Sequence, residues 1–147
     1  MRIRNAAISV FFASLLAAPA HAACPAASAD DIRKAYAAWL AADDAKDIDG
    51  VMSIFDKGVV FQFQGAPDAD WAALRASYVT EFAAHQDGKW SPHFDNIEVS
   101  GDMAAAFATW SLLKDGKAAQ TNISVDLFRR NAACAWHIVH SLNYPKK

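Results

Sequence analysis

The sequence lacks nearly every short motif that would fix a chemistry at sight. Its 147 residues hold no His-x-His, no His-Glu-x-x-His and no pair of neighbouring cysteines. A metal site needs three or four converging ligands, so no bound metal is expected. There is no glycine-rich phosphate loop and no identifiable Ser-His-Asp or Cys-His set, so no cofactor is expected either. The acidic stretch DDAKDID (43–49) lacks the glycine and the terminal glutamate of a calcium loop. It reads as a helix end followed by a cap. Basic residues are few: 14 Lys and Arg against 16 Asp and Glu, with a formal net charge of −2. Without a basic patch the chain is a poor partner for nucleic acid or an anionic membrane surface. No repeat and no low-complexity linker divides it. The longest apolar run, Ala6 to Ala18, is short and alanine-rich for a bilayer span.

That run reads instead as part of a leader. Arg2 and Arg4 precede it and Ala20-His21-Ala22 follows, the arrangement of a secretory signal with cleavage after Ala22. Residues 1–22 are then signal peptide and 23–147 one domain, periplasmic or secreted, with no membrane attachment after cleavage. Arg2 and Arg4 leave with the leader, so the mature domain is more acidic than the whole chain. Lipidation of Cys24 is disfavoured because His21, not an aliphatic residue, stands three positions before it. The two cysteines, Cys24 and Cys134, form an even count in an exported chain, which points to a disulfide. Two unpaired thiols are the alternative, less suited to an oxidising compartment.

Periodicity supplies the elements. Ile32, Tyr36, Trp39, Leu40 and Asp43 fall at helical spacing between Ser28 and Lys46, and Ser28 or Asp30 can cap the start. DIDGVMSIF (47–55) reads as a short second helix. GVVFQFQ (58–64) alternates as a half-buried strand. Trp71, Leu74, Tyr78 and Phe82 form the stripe of a third helix from about Asp68 to His85. Strand-like segments follow at 92–100, 103–113, 119–130 and 135–143, the second and third joined by the hairpin signal KDGK. Two helices, a strand, a helix and a four-strand meander make an α+β domain.

This order, with AKDIDGVMSIFDKGVVF, VSGDMAAAFATW and the closing DLFRR and WHIVHS, resembles the nuclear transport factor 2-like superfamily. Its SnoaL-like and ketosteroid-isomerase-like branches are the most similar. The resemblance implies a cone-shaped, curved antiparallel sheet wrapped around three N-terminal helices, and a homodimer through the outer face of the sheet. It does not fix a function, because this fold hosts enzymes and binders alike. The isomerase branch uses a first-helix tyrosine, a base on the first strand and a protonated aspartate near the end. Counting from DIDG and from Trp136 places Trp39, Phe63 and Asp126 there. Steroid-type isomerisation is disfavoured, since the base is missing. The SnoaL-like branch often has Arg-x-Thr and His-x-His on the last two strands. Ser124 and Asp126, then His140 and Leu142, stand in those places.

Asp126 sits in the middle of its strand and, if its face lines a pocket, is the best candidate in the chain for acid, base or hydrogen-bonding work. If paired positions in the last hairpin have an odd index sum, Ile123, Val125 and Leu127 share a face with Trp136, Ile138, His140 and Leu142. Asn122, Ser124, Asp126 and Phe128 then share the other with His137, Val139, Ser141 and Asn143. Pattern alone puts the apolar face on the helices and Asp126 in water. The resemblance turns Asp126 inward and leaves the apolar face to a second copy. In that arrangement Ala104, Ala106 and Ala108 leave empty volume on the inner face beside Trp110. Trp39, Phe61, Phe63, Trp71 and Tyr78 become aromatic walls, though each alone is also an ordinary core residue. Ser124, Ser141 and Asn143 lie near enough to orient Asp126. His93 and His140 have no converging partners, and His140 on the apolar face reads as a buried or interfacial histidine.

Three functions follow. The first is an exported protein that holds a small apolar molecule, with Asp126 as its main polar contact. The second is an isomerase or hydratase acting through Asp126 and a bound water. The third is a non-catalytic dimeric interaction module whose interior is only core.

Overall fold

The computed structural model describes residues 24–84 and 88–146. The expected leader, 1–22, lies outside the described residues. The elements run α1 (Ala29–Asp44), α2 (Ile48–Met52), β1 (Phe55–Phe63), α3 (Trp71–Ala83), β2 (Lys89–Ser100), β3 (Met103–Lys114), β4 (Lys117–Arg130) and β5 (Trp136–Pro145), which is the order read from the periodicities. Local chemistry sets the ends. The Asp31 carboxylate accepts the Ser28 backbone N–H at 2.9 Å and its hydroxyl at 3.1 Å, starting α1. Asp47 and Asp70 cap α2 and α3, accepting from the backbone N–H of Gly50 at 3.0 Å and of Ala73 at 2.8 Å. Asp115 and Gly116, at φ 50° and 73°, make the two-residue turn between β3 and β4.

The sheet corrects the expected architecture. It has five strands in the order β1-β5-β4-β3-β2. β1 runs parallel to β5 and the remaining pairs are antiparallel. The sheet is therefore mixed and open, with β1 and β2 as its edge strands, and is neither closed nor strongly curled into a cone. The α+β class stands. The misreading has a local cause. A hairpin turn specifies only its own antiparallel neighbours, whereas nothing near β1 records that it will join β5 at the far end of the chain.

The register of the last hairpin is a second correction. From Asn122↔Pro145 to Leu127↔His140 the index sum is odd, as expected. It then shifts by one, so that Phe128 pairs with Ile138 and Arg130 with Trp136. The extra residue, Val139, is a bulge that reverses which face every earlier side chain of β5 presents. Trp136 and Ile138 are thereby buried, 8% and 3% exposed, on the same side as Phe128 and Asp126. They do not join Val125 and Leu127. His140 faces the other way and bonds Gln62 Oε1 through Nε2 at 2.9 Å.

α1 covers the inner face of the sheet. Ile32 and Tyr36 join one buried cluster with Ala104, Ala106, Ala108, Phe128 and Ile138. The Tyr36 ring lies 5.1 Å from Phe94 and 5.3 Å from both Trp110 and Phe128, centroid to centroid. The alanine row gives this helix room to approach. The volume it leaves is filled by α1, which corrects the expectation of empty space there. The outer face keeps an apolar band of Met103, Phe107, Ile123, Leu127 and Tyr144, all exposed. A disulfide joins Cys24 to Cys134. Beside it Arg130 donates to the Pro25 carbonyl at 2.7 Å and pairs with Asp102 at 2.7 Å. No helix among the described residues is long and apolar enough to cross a membrane.

Candidate functional site

Asp126 lies on β4, opposite Ala106 on β3 and Ser141 on β5. Its side chain enters the inner face and is 3% exposed. Three hydroxyls converge on it. Tyr36 from α1 donates to Oδ2 at 2.6 Å, Ser124 donates to Oδ2 at 2.8 Å, and Ser141 donates to Oδ1 at 2.5 Å. Each serine is itself held. Trp110 Nε1 donates to Ser124 Oγ at 3.0 Å, and Asn143 Nδ2 donates to Ser141 Oγ at 2.9 Å. Burial pushes the Asp126 carboxyl above the ordinary carboxylate value, while the three hydroxyls pull it the other way. Burial prevails. Tyr36 is raised well above the ordinary phenol value, first by burial and then by the charge and hydrogen bond of Asp126.

A cavity of about 460 Å³ opens above this network. Trp39 and Tyr36 of α1 line it, with Phe55, Phe61 and Phe63 of β1 and Tyr78 of α3. The sheet contributes Trp110, Asn122, Asp126, Ser141 and Asn143, and Trp90 stands on the edge strand β2. The segment after β1 folds back over the cavity, where Phe61 and Ala69 exchange backbone hydrogen bonds at 2.9 and 2.8 Å and Ala66, Pro67 and Ala69 join the lining. Trp39 stands edge-on to Trp110 at 5.5 Å and to Tyr78 at 6.5 Å. Its buried Nε1 has no hydrogen-bond partner among the described residues.

Of the residues singled out in the sequence, Trp39, Phe61, Phe63, Tyr78, Trp110, Asp126, Ser141 and Asn143 meet at this cavity. Ser124 lies beneath it, touching Asp126. Trp71 does not belong. It lines a separate depression near Asp49, Asp56 and His137, with Lys57 Nζ 3.0 Å from its ring centroid. Sequence reasoning missed Tyr36 as the partner of Asp126. It lies one turn before Trp39 on the same stripe, and counting from DIDG passed over it. It also missed Glu81 and Trp90. Glu81 follows Tyr78 by three residues, and that helical spacing was the available signal. Among the described residues no group of three His, Cys, Asp or Glu side chains converges as metal ligands would.

A model of the SnoaL-like domain matches residues 32–135. No curated protein matches the sequence. Several solved structures share the fold. A putative calcium/calmodulin-dependent protein kinase type II association domain from Thiobacillus denitrificans is 20% identical with a TM-score of 0.67, covering 78% of this chain and 94% of its own. A ketosteroid isomerase-like protein from Erwinia carotovora atroseptica is 19% identical with a TM-score of 0.61, over 80% and 95%. A nuclear transport factor 2-like protein of unknown function from Shewanella oneidensis is 18% identical with a TM-score of 0.68, over 78% and 97%.

Proposed function

The chain belongs to the SnoaL-like domain family of the nuclear transport factor 2-like superfamily, and from that premise we propose that it is an exported protein whose cavity holds a small, largely apolar molecule. The observation that carries this reading is the cavity itself. Its aromatic walls end on a cluster of oriented polar groups, Asn122, Asn143, Ser141 and Asp126, which is the division of labour found in small-molecule sites. Binding is favoured over catalysis because Phe61 and Phe63 occupy β1, where a base would be needed, and because Asp126 already accepts three hydroxyls. The cavity equally disfavours an interaction module with a filled interior. Residues 1–22 act in this proposal as the export signal. The apolar band on the outer sheet face is the surface through which two copies associate.

The neutral dye Nile red tests the site. It should bind the wild type and lose about tenfold or more in affinity with Phe63→Asp, since a buried aromatic contributes about 2 kcal/mol. Unchanged dye affinity in a variant with native circular dichroism would reject this cavity as the binding site.

A further inference from the structure

The charge of the cavity is one-sided. Among the described residues its lining includes two carboxylates, Asp126 and Glu81, and no lysine, arginine or histidine. The two differ in what they can still do. Asp126 is engaged by Tyr36, Ser124 and Ser141. Glu81 stands on α3 one turn beyond Tyr78, with Asp43 and Lys46 as its charged neighbours. Lys46 also lies over the Phe82 ring, its Nζ 4.7 Å from the centroid. Asp43 is 3% exposed, and its Oδ1 is buried without a hydrogen-bond partner among the described residues. Nearby, Lys89 is paired with Asp44 at 3.0 Å. Among the described residues negative charge is therefore left over at Glu81 on this end of the cavity, with Asp43 behind the lining. Burial first, and then the charge of Asp43, raises the pKa of Glu81; burial first, with the charge of Asp44, raises that of Asp43; Lys46 offsets both only in part. The faces of aromatic rings such as Trp39 and Tyr78 add negative potential of their own. A cation seated there would relieve Glu81 and the ring faces, whereas an anion would meet carboxylates and, among the described residues, no partner.

We propose that the molecule this cavity takes is a hydrophobic amine, its protonated nitrogen beside Glu81 and the rings of Trp39 and Tyr78, its apolar body against Phe61, Phe63 and Trp110. The proposal rests on the binding reading above and narrows it to one chemical class. Hydrogen-bonding groups at the Asp126 end then recognise whatever neutral polar function the far side of the ligand carries.

Three probes of one shape decide it: 4-phenylbutylamine, 4-phenylbutanol and 4-phenylbutyrate, titrated against the intrinsic tryptophan fluorescence of the full mature protein. The amine should bind about tenfold tighter than the alcohol, with the carboxylate weakest, as expected for a cation between a carboxylate and ring faces. Glu81→Gln should bring the amine to within about threefold of the alcohol, the ratio of the two affinities on one protein being the readout. If the alcohol matches or exceeds the amine on the wild type, the cavity is a binding site but the cationic preference is wrong. If Glu81→Gln leaves the ratio intact, Glu81 is not the anchor and the proposal falls. If none of the three binds, the binding reading falls with it. The comparison on the wild type needs no variant to fold.

Discussion

Asp126 is held between two opposed forces, and their balance can be measured. Removal from water favours its neutral form, and three hydroxyl donors favour the charged one. A carboxyl whose pKa is higher in the folded state binds its proton more tightly there. Its contribution to stability is complete below the ordinary value of 3.8 and declines as pH rises from there to the raised folded value. Asp126→Asn should abolish this decline. Urea unfolding from about pH 3 to about pH 8 should show wild type losing stability relative to the variant across that window and running parallel to it above. Asp43 and Glu81 are also raised, but they titrate in both proteins and cancel in the difference. A difference that is flat over the whole range would mean that Asp126 is not a buried carboxyl of raised pKa. The inward direction of Asp126 could be anticipated only through family resemblance, because the alternation of its strand allows either face. Its partner could not be anticipated, since Tyr36 and Trp39 share one helical stripe and only the depth of α1 against the sheet chooses between them.

Elements were legible where one period governs them. The stripe Ile32, Tyr36, Leu40 gave α1, and Asp115-Gly116 gave the β3–β4 hairpin. What escaped was the bulge at Val139. An apolar Trp136 and Ile138 satisfy either face of β5, and no glycine or proline marks the inserted residue. The bulge divides the consequences of two otherwise similar substitutions. Ile138→Asp would place an unpaired charge in the core and should leave no soluble folded protein, because such a site costs several kcal/mol. Leu127→Asp, on the outer face at 40% exposure, should fold with a melting temperature near that of wild type. If two copies associate through this band, wild type sediments as a dimer and Leu127→Asp as a monomer. A wild-type protein that is monomeric at all concentrations removes the dimer.

At the scale of the whole molecule, the disulfide between Cys24 and Cys134 closes a loop spanning 110 positions of sequence. On the chain-entropy model a loop of that length stabilises by about 4–5 kcal/mol, with measured values often lower. Reduction with dithiothreitol should therefore lower the stability read by urea unfolding by about 2–4 kcal/mol, and Cys24→Ala with Cys134→Ala should match the reduced protein. No change on reduction would mean that the oxidised and reduced unfolded chains are equally restricted. The pairing itself was legible from two cysteines behind an expected leader, whereas the place of β1 was not, since a parallel partner at the far end of the chain leaves no local trace. The covalent loop also determines what a protease leaves behind. A single cut between residues 65 and 70, in the segment folded over the cavity, yields two fragments that remain tied through Cys24 and Cys134. On a denaturing gel without reductant the nicked protein keeps its full mass, and it separates into two bands only after the thiols are restored.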